Sequence, residues 1–259
     1  MDYSNMTPKE VRQLIRDEKI TNHTDGMCLG FAQANLIVLP RKYAFDFLLF
    51  ATRNPAPCPI LEVCETRFSK TCAVGADIAS DIPKYRIWKN GRLVGECTNV
   101  RDIWQDDFVS FLIGCSFSFE SDLLEADIPV RHIEEGKNVP MYVTNIPLNP
   151  AGIFKGNMVV SMRPMTEQDA IRATVITSNM PKVHGKPIHI GDPQKIGIND
   201  INKPDFGDSV TVRAGEIPVF WPCGVTPQVA VMAACPDFAI THSPGHMLIT
   251  DIKNSLLKN

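Results

Sequence analysis

Twice in this chain an apolar run ends in a cysteine, a small residue and a stretch that reads as a helix. The first is FLIGCSFSFESDLL, from Phe111 to Leu124; the second is FWPCGVTPQVAVM, from Phe220 to Met232. The first apolar run reads as a buried strand or a short helix, and the second as a strand. Each continuation carries helix-start chemistry. Ser116 or Ser118 suits the cap of the first, with Glu120 in its first turn. Thr226 suits the cap of the second, with Pro227 at the first helical position. Two strand-to-helix turns of this kind point to an α/β chain.

The remaining segments fit that class. Thr7, Pro8 and Glu10 form a capping box before a stripe of Val11, Leu14 and Ile15. Gly26 to Pro40 is small and apolar, and its periodicity leaves helix and strand both open. YAFDFLLFATRNP is a helix stopped at Asn54-Pro55. CPILEVCE is a short buried strand, and KYRIWKNGRLVGEC alternates around Asn90-Gly91, a two-residue hairpin signal. VPMYVTNIPLNPAGIFKGNMVVSMRP is a pair of antiparallel strands, and Thr166 caps the helix after it. Cys115 to Val183 therefore reads helix, strand, strand, helix, a two-layer α+β unit. Beyond it, the succession IPVFW, TPQVAVMAAC, FAITHSPG predicts a parallel strand–helix–strand unit.

Composition excludes several function classes. Hydrophobic residues are 44% and charged residues 21% of 259, the balance of a soluble globular chain. The net charge is only -3, with Lys and Arg scattered, which gives no electrostatic footprint for nucleic acid. No apolar stretch approaches the roughly 20 residues that span a bilayer, and the opening MDYSNMTPKEVRQ has no signal-peptide character. The eight cysteines include no CxxC pair, so they read as reduced thiols of a cytoplasmic protein. Cys58, Cys64 and Cys72 have no tight metal-ligand spacing.

In open α/β sheets ligands bind beyond the strand ends, where helix N-termini present bare N–H groups. Cys115 with Ser116, His189 with Asp192, Cys223 with Gly224 and Thr226, and His242 all fall at such ends. A thiol before a helix start is expected to ionise more easily; the plain alternative is a small buried filler. For an acid substrate, His242 or Cys223 would take a proton, with Cys115 as a second proton carrier. The N–H groups from Ser116 to Ser118 and from Thr226 to Gln228 would hold an oxyanion. Arg163 would clamp a carboxylate, and Asp192 or Glu120 would orient the base or donate the leaving proton. There is no GxGxxG or P-loop signature, and no cofactor is expected.

Eight blocks carry a family likeness: GMCLGFAQANLIVLP, FLIGCSFSFE, NVPMYVTNI, VVSMRPM, KVHGKPIHIGDP, PDFGDSV, PVFWPCGVTPQ and ITHSPGHMLITD. Long and in order from Gly26 to Asp251, they resemble the "putative hydro-lyase" family, which is related to mitochondrial D-glutamate cyclase. The resemblance implies a carbon–oxygen lyase that eliminates water. For the cyclase relative it implies closure of D-glutamate to 5-oxo-D-proline. It also implies a three-layer α/β sandwich with a smaller two-layer domain. The expected division is a discontinuous domain of 1–114 and 184–259 around 115–183. The partner is then a small amino acid or carboxylic acid; a homo-oligomer is left open. The resemblance assigns no catalytic residue. Three alternatives stand beside it: a cofactor-independent racemase using Cys115 and Cys223 as opposed proton carriers, a metal-assisted dehydratase with His184, His189 and Asp192 as ligands, and a non-catalytic small-acid sensor or regulator.

Overall fold

The segment that periodicity leaves open becomes a strand, and the larger sheet is assembled on it. In the computed structural model, which describes residues 2–258, β1 (Phe31–Pro40) is buried at every residue but the first. Its burial follows from pairing on both edges. β5 (Phe108–Gly114) runs along one edge from Ala34↔Gly114 to Pro40↔Phe108. The other edge is shared by β11 (Leu248–Lys253) and β10 (Ala239–His242). β2 (Ile60–Cys64) and the hairpin of β3 (Tyr85–Lys89) with β4 (Arg92–Cys97) complete a sheet of order β2-β5-β1-β10-β3-β4.

Side chains alternate across this sheet, as the pleat requires. Leu36, Val38, Leu112 and Ile240 face one side, where the irregular segment from Cys72 to Ile82 covers them. Ile37, Leu39, Phe111 and Ile113 face the other. There they meet Phe47 and Phe50 of α2 (Arg41–Arg53) and Ala230 and Val231 of α6 (Thr226–Ala234). α1 (Pro8–Arg16) keeps its expected capping box and packs Val11 and Ile15 against Ile249. The α/β class expected from the sequence holds.

The second sheet has the order β6-β7-β9-β8, from β6 (Met141–Pro147), β7 (Asn157–Thr166), β8 (His189–Ile190) and β9 (Glu216–Pro222). α3 (Phe117–Glu125) and α5 (Glu167–Ser178) cover one face, setting Phe119, Leu123, Ala170 and Ala173 against Val219 and Trp221. A single turn, α4 (Arg131–Glu134), follows α3. β8 and β9 come from beyond residue 183, so the expected domain edge at that position falls inside this sheet.

One expectation is overturned. β9, α6 and β10 do not form a parallel unit: β9 belongs to the second sheet and β10 to the first. Every pairing between the named strands is antiparallel. The handedness rule for crossovers applies only when both strands share a sheet, and α6 spans two. The same crossing occurs in reverse at β5, which leaves the first sheet and enters α3 on the second. Each of the two cysteines marked in the sequence sits at one of these crossings.

The β3–β4 hairpin confirms its turn signal, with positive φ at Asn90 (50°) and Gly91 (72°), the mirror-image turn that matches strand twist. A Cβ on Gly91 would also lie 2.6 Å from the Cys235 sulfur. Gly91→Ala is expected to cost about 1–3 kcal/mol, read as a lower urea midpoint with unchanged slope; an unaltered midpoint refutes the argument.

Candidate active site

Cys115, Ser116, Cys223, Gly224 and His242 line one cavity of about 30 Å³. It lies where β5 hands over to α3 and β9 to α6. The two turns are built alike. The Ser118 N–H donates to the Cys115 carbonyl at 3.1 Å, and the Thr226 N–H to the Cys223 carbonyl at 3.0 Å. The Phe117 and Val225 N–H groups point at the respective sulfurs. Neither Ser116 nor Thr226 caps its helix through the side chain. Thr226 Oγ instead bridges Val159, accepting from its N–H at 3.0 Å and donating to its carbonyl at 3.1 Å. That ties α6 to β7. Ser118 Oγ accepts from the Gln33 N–H at 3.1 Å and ties α3 to β1.

The expected thiol ionisation is reversed. Burial pushes Cys115 up to about 12 and Cys223 up to about 11, and the helix-start N–H groups recover only part of the shift. The desolvation of a charged sulfur outweighs the helix-end field here. At such values both thiols carry their protons at neutral pH.

His242 is not a free base. Its Nδ1 accepts from the Leu36 N–H at 3.1 Å, which leaves the ring proton on Nε2. The Gln228 amide nitrogen sits 3.1 and 3.2 Å from the two ring nitrogens and holds the ring in place. Burial lowers its pKa to about 4, so it is a neutral imidazole in the cavity wall.

Arg163 does not clamp a substrate. The side chain is wholly buried, and its donors reach Glu120, Ser161 and Ser116, the last two at 3.0 and 3.2 Å. Phe119 and Trp221 lie 5.0 and 5.4 Å from the guanidinium. Glu120 is correspondingly neither acid nor orienting group at the cavity. Burial alone would raise its pKa, but His132 and Arg163 hold it well below the ordinary carboxylate range. Asp192 and His189 are elsewhere. Asp192 is exposed and caps the turn at Pro193–Ile196 through the Gln194 N–H at 3.0 Å. His189 contacts the Asp192 carbonyl at 2.7 Å on the short edge strand β8. His184 is buried against the Ala56 carbonyl, so the metal set His184, His189 and Asp192 does not assemble. Among the described residues no group of three or more His, Cys, Asp or Glu is placed to hold a metal, and no helix is long and apolar enough to cross a membrane.

Asn35 is the wall residue that sequence reading missed. Its amide nitrogen donates to the carbonyls of Gly114 and Ile113 at 2.9 and 3.3 Å. The oxygen end has no hydrogen bond among the described residues, and Asn35 lines the cavity. Asn35 also explains Gly224: a Cβ there would sit 2.2 Å from the Asn35 amide nitrogen. The signal was present, since Gln33 and Asn35 are two polar residues on one face of an otherwise apolar strand. Phe117 lines both this cavity and a second one of about 270 Å³, which Glu120, Gln33 and Asn254 help to line.

The chain matches the D-glutamate cyclase family over residues 109–251. It is 64% identical to a protein of Clostridium beijerinckii named "Putative hydro-lyase", covering all of this chain and 99% of that one. Proteins of the same description in Thermoanaerobacter sp. and Staphylococcus haemolyticus are 60% and 56% identical, over 98% and 100% of their own lengths. Among solved structures, a nitrogen repressor-like protein of Methanococcus jannaschii matches at 11% identity with a TM-score of 0.38, over 90% of each chain, too remote to inform on chemistry.

His184 and His242 are both lowered from 6.5 to about 4, chiefly by burial. The stability they contribute is complete above pH 6.5 and is lost as pH falls through about 4. The melting temperature should drop by about 5 °C or more across that window. His242→Asn, whose oxygen can still accept from Leu36, should flatten the slope there; a slope identical to wild type contradicts the assignment.

Proposed function

The chain belongs to the D-glutamate cyclase family, and on that footing we propose that it is a lyase that removes water from a small amino acid or carboxylic acid at the cavity between Cys115 and Cys223. The reaction put forward is closure of D-glutamate to 5-oxo-D-proline. The observation that carries the proposal is the convergence of two like turns, each with a thiol and a helix N-terminus, on one cavity.

Closure forms a bond from the amino nitrogen to the side-chain carboxyl carbon and breaks one C–O bond of that carboxyl. The ammonium gives up two protons, which leave with the oxygen as water. One thiol, ionised, takes a proton from nitrogen while the other delivers one to the departing oxygen; the second proton passes the same way with the two sulfurs' roles exchanged, which returns the pair to its starting state. In this reading the N–H groups of Phe117 and Val225, which point at the sulfurs, also serve the developing oxyanion. Asn35 Oδ1 receives the ammonium before it reacts. The cavity of about 30 Å³ holds a few waters at most, so glutamate enters only if Phe117 or its neighbours yield.

Chiral chromatography of purified protein with D-glutamate should show 5-oxo-D-proline. Cys115→Ala and Cys223→Ala should each lower kcat by about 10²-fold or more. Asn35→Leu should weaken D-glutamate binding more than glutarate binding, because only the former carries an ammonium. Wild-type inertness toward D-glutamate, L-glutamate and hydroxy acids would remove the reading in favour of a small-acid sensor.

A further inference from the structure

Water loss is an unsymmetrical task, with one group accepting a proton from nitrogen and another donating to oxygen. Sites that divide labour in this way place their two groups in contrasting surroundings, which pushes the pKa values apart. The two thiols here are not so divided. Each follows an apolar strand, each is 7% exposed, and each has its carbonyl bonded by the N–H three residues on. Each sulfur also faces the N–H two residues on. Burial raises both, to about 12 and about 11. A matched pair suits a reaction whose two directions are mirror images.

The two thiols also arrive from different sheets, Cys115 from β5 and Cys223 from β9, and line the same cavity. The same cavity is lined by the starts of both helices and by Asn35, a residue 4% exposed whose oxygen makes no hydrogen bond among the described residues. A carbon acid needs that setting. Its proton becomes removable only when the negative charge flows onto an adjoining carboxylate, and N–H groups aimed at that carboxylate stabilise the charge as it forms.

We propose that this cavity also exchanges the proton on the α-carbon of its ligand, one sulfur removing it and the other replacing it from the opposite side, and so interconverts 5-oxo-D-proline and 5-oxo-L-proline. The identity of the ligand rests on the cyclisation reading; the exchange itself rests on the paired turns. The atoms balance without a co-reactant. A thiolate takes the α-proton and becomes a thiol, the electron pair moves onto the carboxylate, and the opposite thiol protonates the carbon and becomes the thiolate. The pair ends with its protonation exchanged, ready to run in reverse. The cycle starts from one thiolate, so its rate should climb as pH rises from neutral into the alkaline range.

The test is incubation of the full-length protein in D₂O with both enantiomers of 5-oxoproline and of glutamate. Proton NMR reads loss of the α-hydrogen, and chiral chromatography reads inversion. The expected result is deuterium at the α-carbon and appearance of the opposite enantiomer. Both should fall by about 10²-fold or more in Cys115→Ala and in Cys223→Ala. Cys→Ser partners serve if an alanine variant fails to fold. Water loss is followed in the same tubes. Exchange without water loss supports this proposal and removes the cyclisation reading. Water loss without exchange, or neither, overturns this one. Wild-type exchange in either cysteine variant also overturns it.

Discussion

One guanidinium joins the two halves of the candidate site. Arg163 stands on β7, next to the strand that leads to Cys223, and reaches across to Ser116 and Glu120 at the start of the helix that follows Cys115. Burying a charge is costly unless it is paired and its donors are satisfied. Here the carboxylate pairs it, two serine hydroxyls take further donors, and two aromatic rings lie against the guanidinium. This arrangement fixes the spacing between two turns that no strand pairing connects directly. Removing either partner would leave the other as an uncompensated buried charge, so the pair is a constraint on geometry before it is a source of stability.

The crossing of chain between sheets then sets what lies at the cavity. β5 belongs to one sheet and its following helix to the other; β9 and α6 do the converse. A turn at such a junction is buried from both sides, which is why both cysteines lose the easy ionisation that a helix start offers at a surface. Thr226 and Ser118, good capping residues by type, instead fasten their helices to the neighbouring strands.

Much of this was legible locally. The capping box at Thr7, the Asn90-Gly91 hairpin, the β6–β7 pair and both strand-to-helix cysteine turns depend on neighbours in sequence, and they stand where expected. The sequence also separated Cys115, Cys223 and His242 as strand-end residues, and the fold gathers their positions around one cavity. What failed was non-local. Whether β9 and β10 share a sheet, whether Arg163 is free or paired, and how dry the thiols are all depend on distant contacts. Asp192 and His189 show the limit most clearly: their local pattern matches a strand-end site, but their strand is a two-residue edge, His189 turns to the Asp192 carbonyl, and neither lines the cavity. Asn35 is the converse case, a polar residue in an apolar run whose meaning emerges only with Gly224 pressed against it.

The small volume of the inner cavity bears on the course of chemistry. In bulk solvent, an amide formed by loss of water always faces a vast excess of the product it released. A chamber with space for only a few solvent molecules, with Phe117 on the wall it shares with the larger cavity, leaves few of them in reach of a bound ligand. The balance between open and cyclic forms inside the protein differs from that in solution by how much more tightly the walls hold one form than the other. Water activity is the same inside the chamber as outside, so the aromatic ring at position 117 governs how often water meets the bound ligand and not how far the reaction goes.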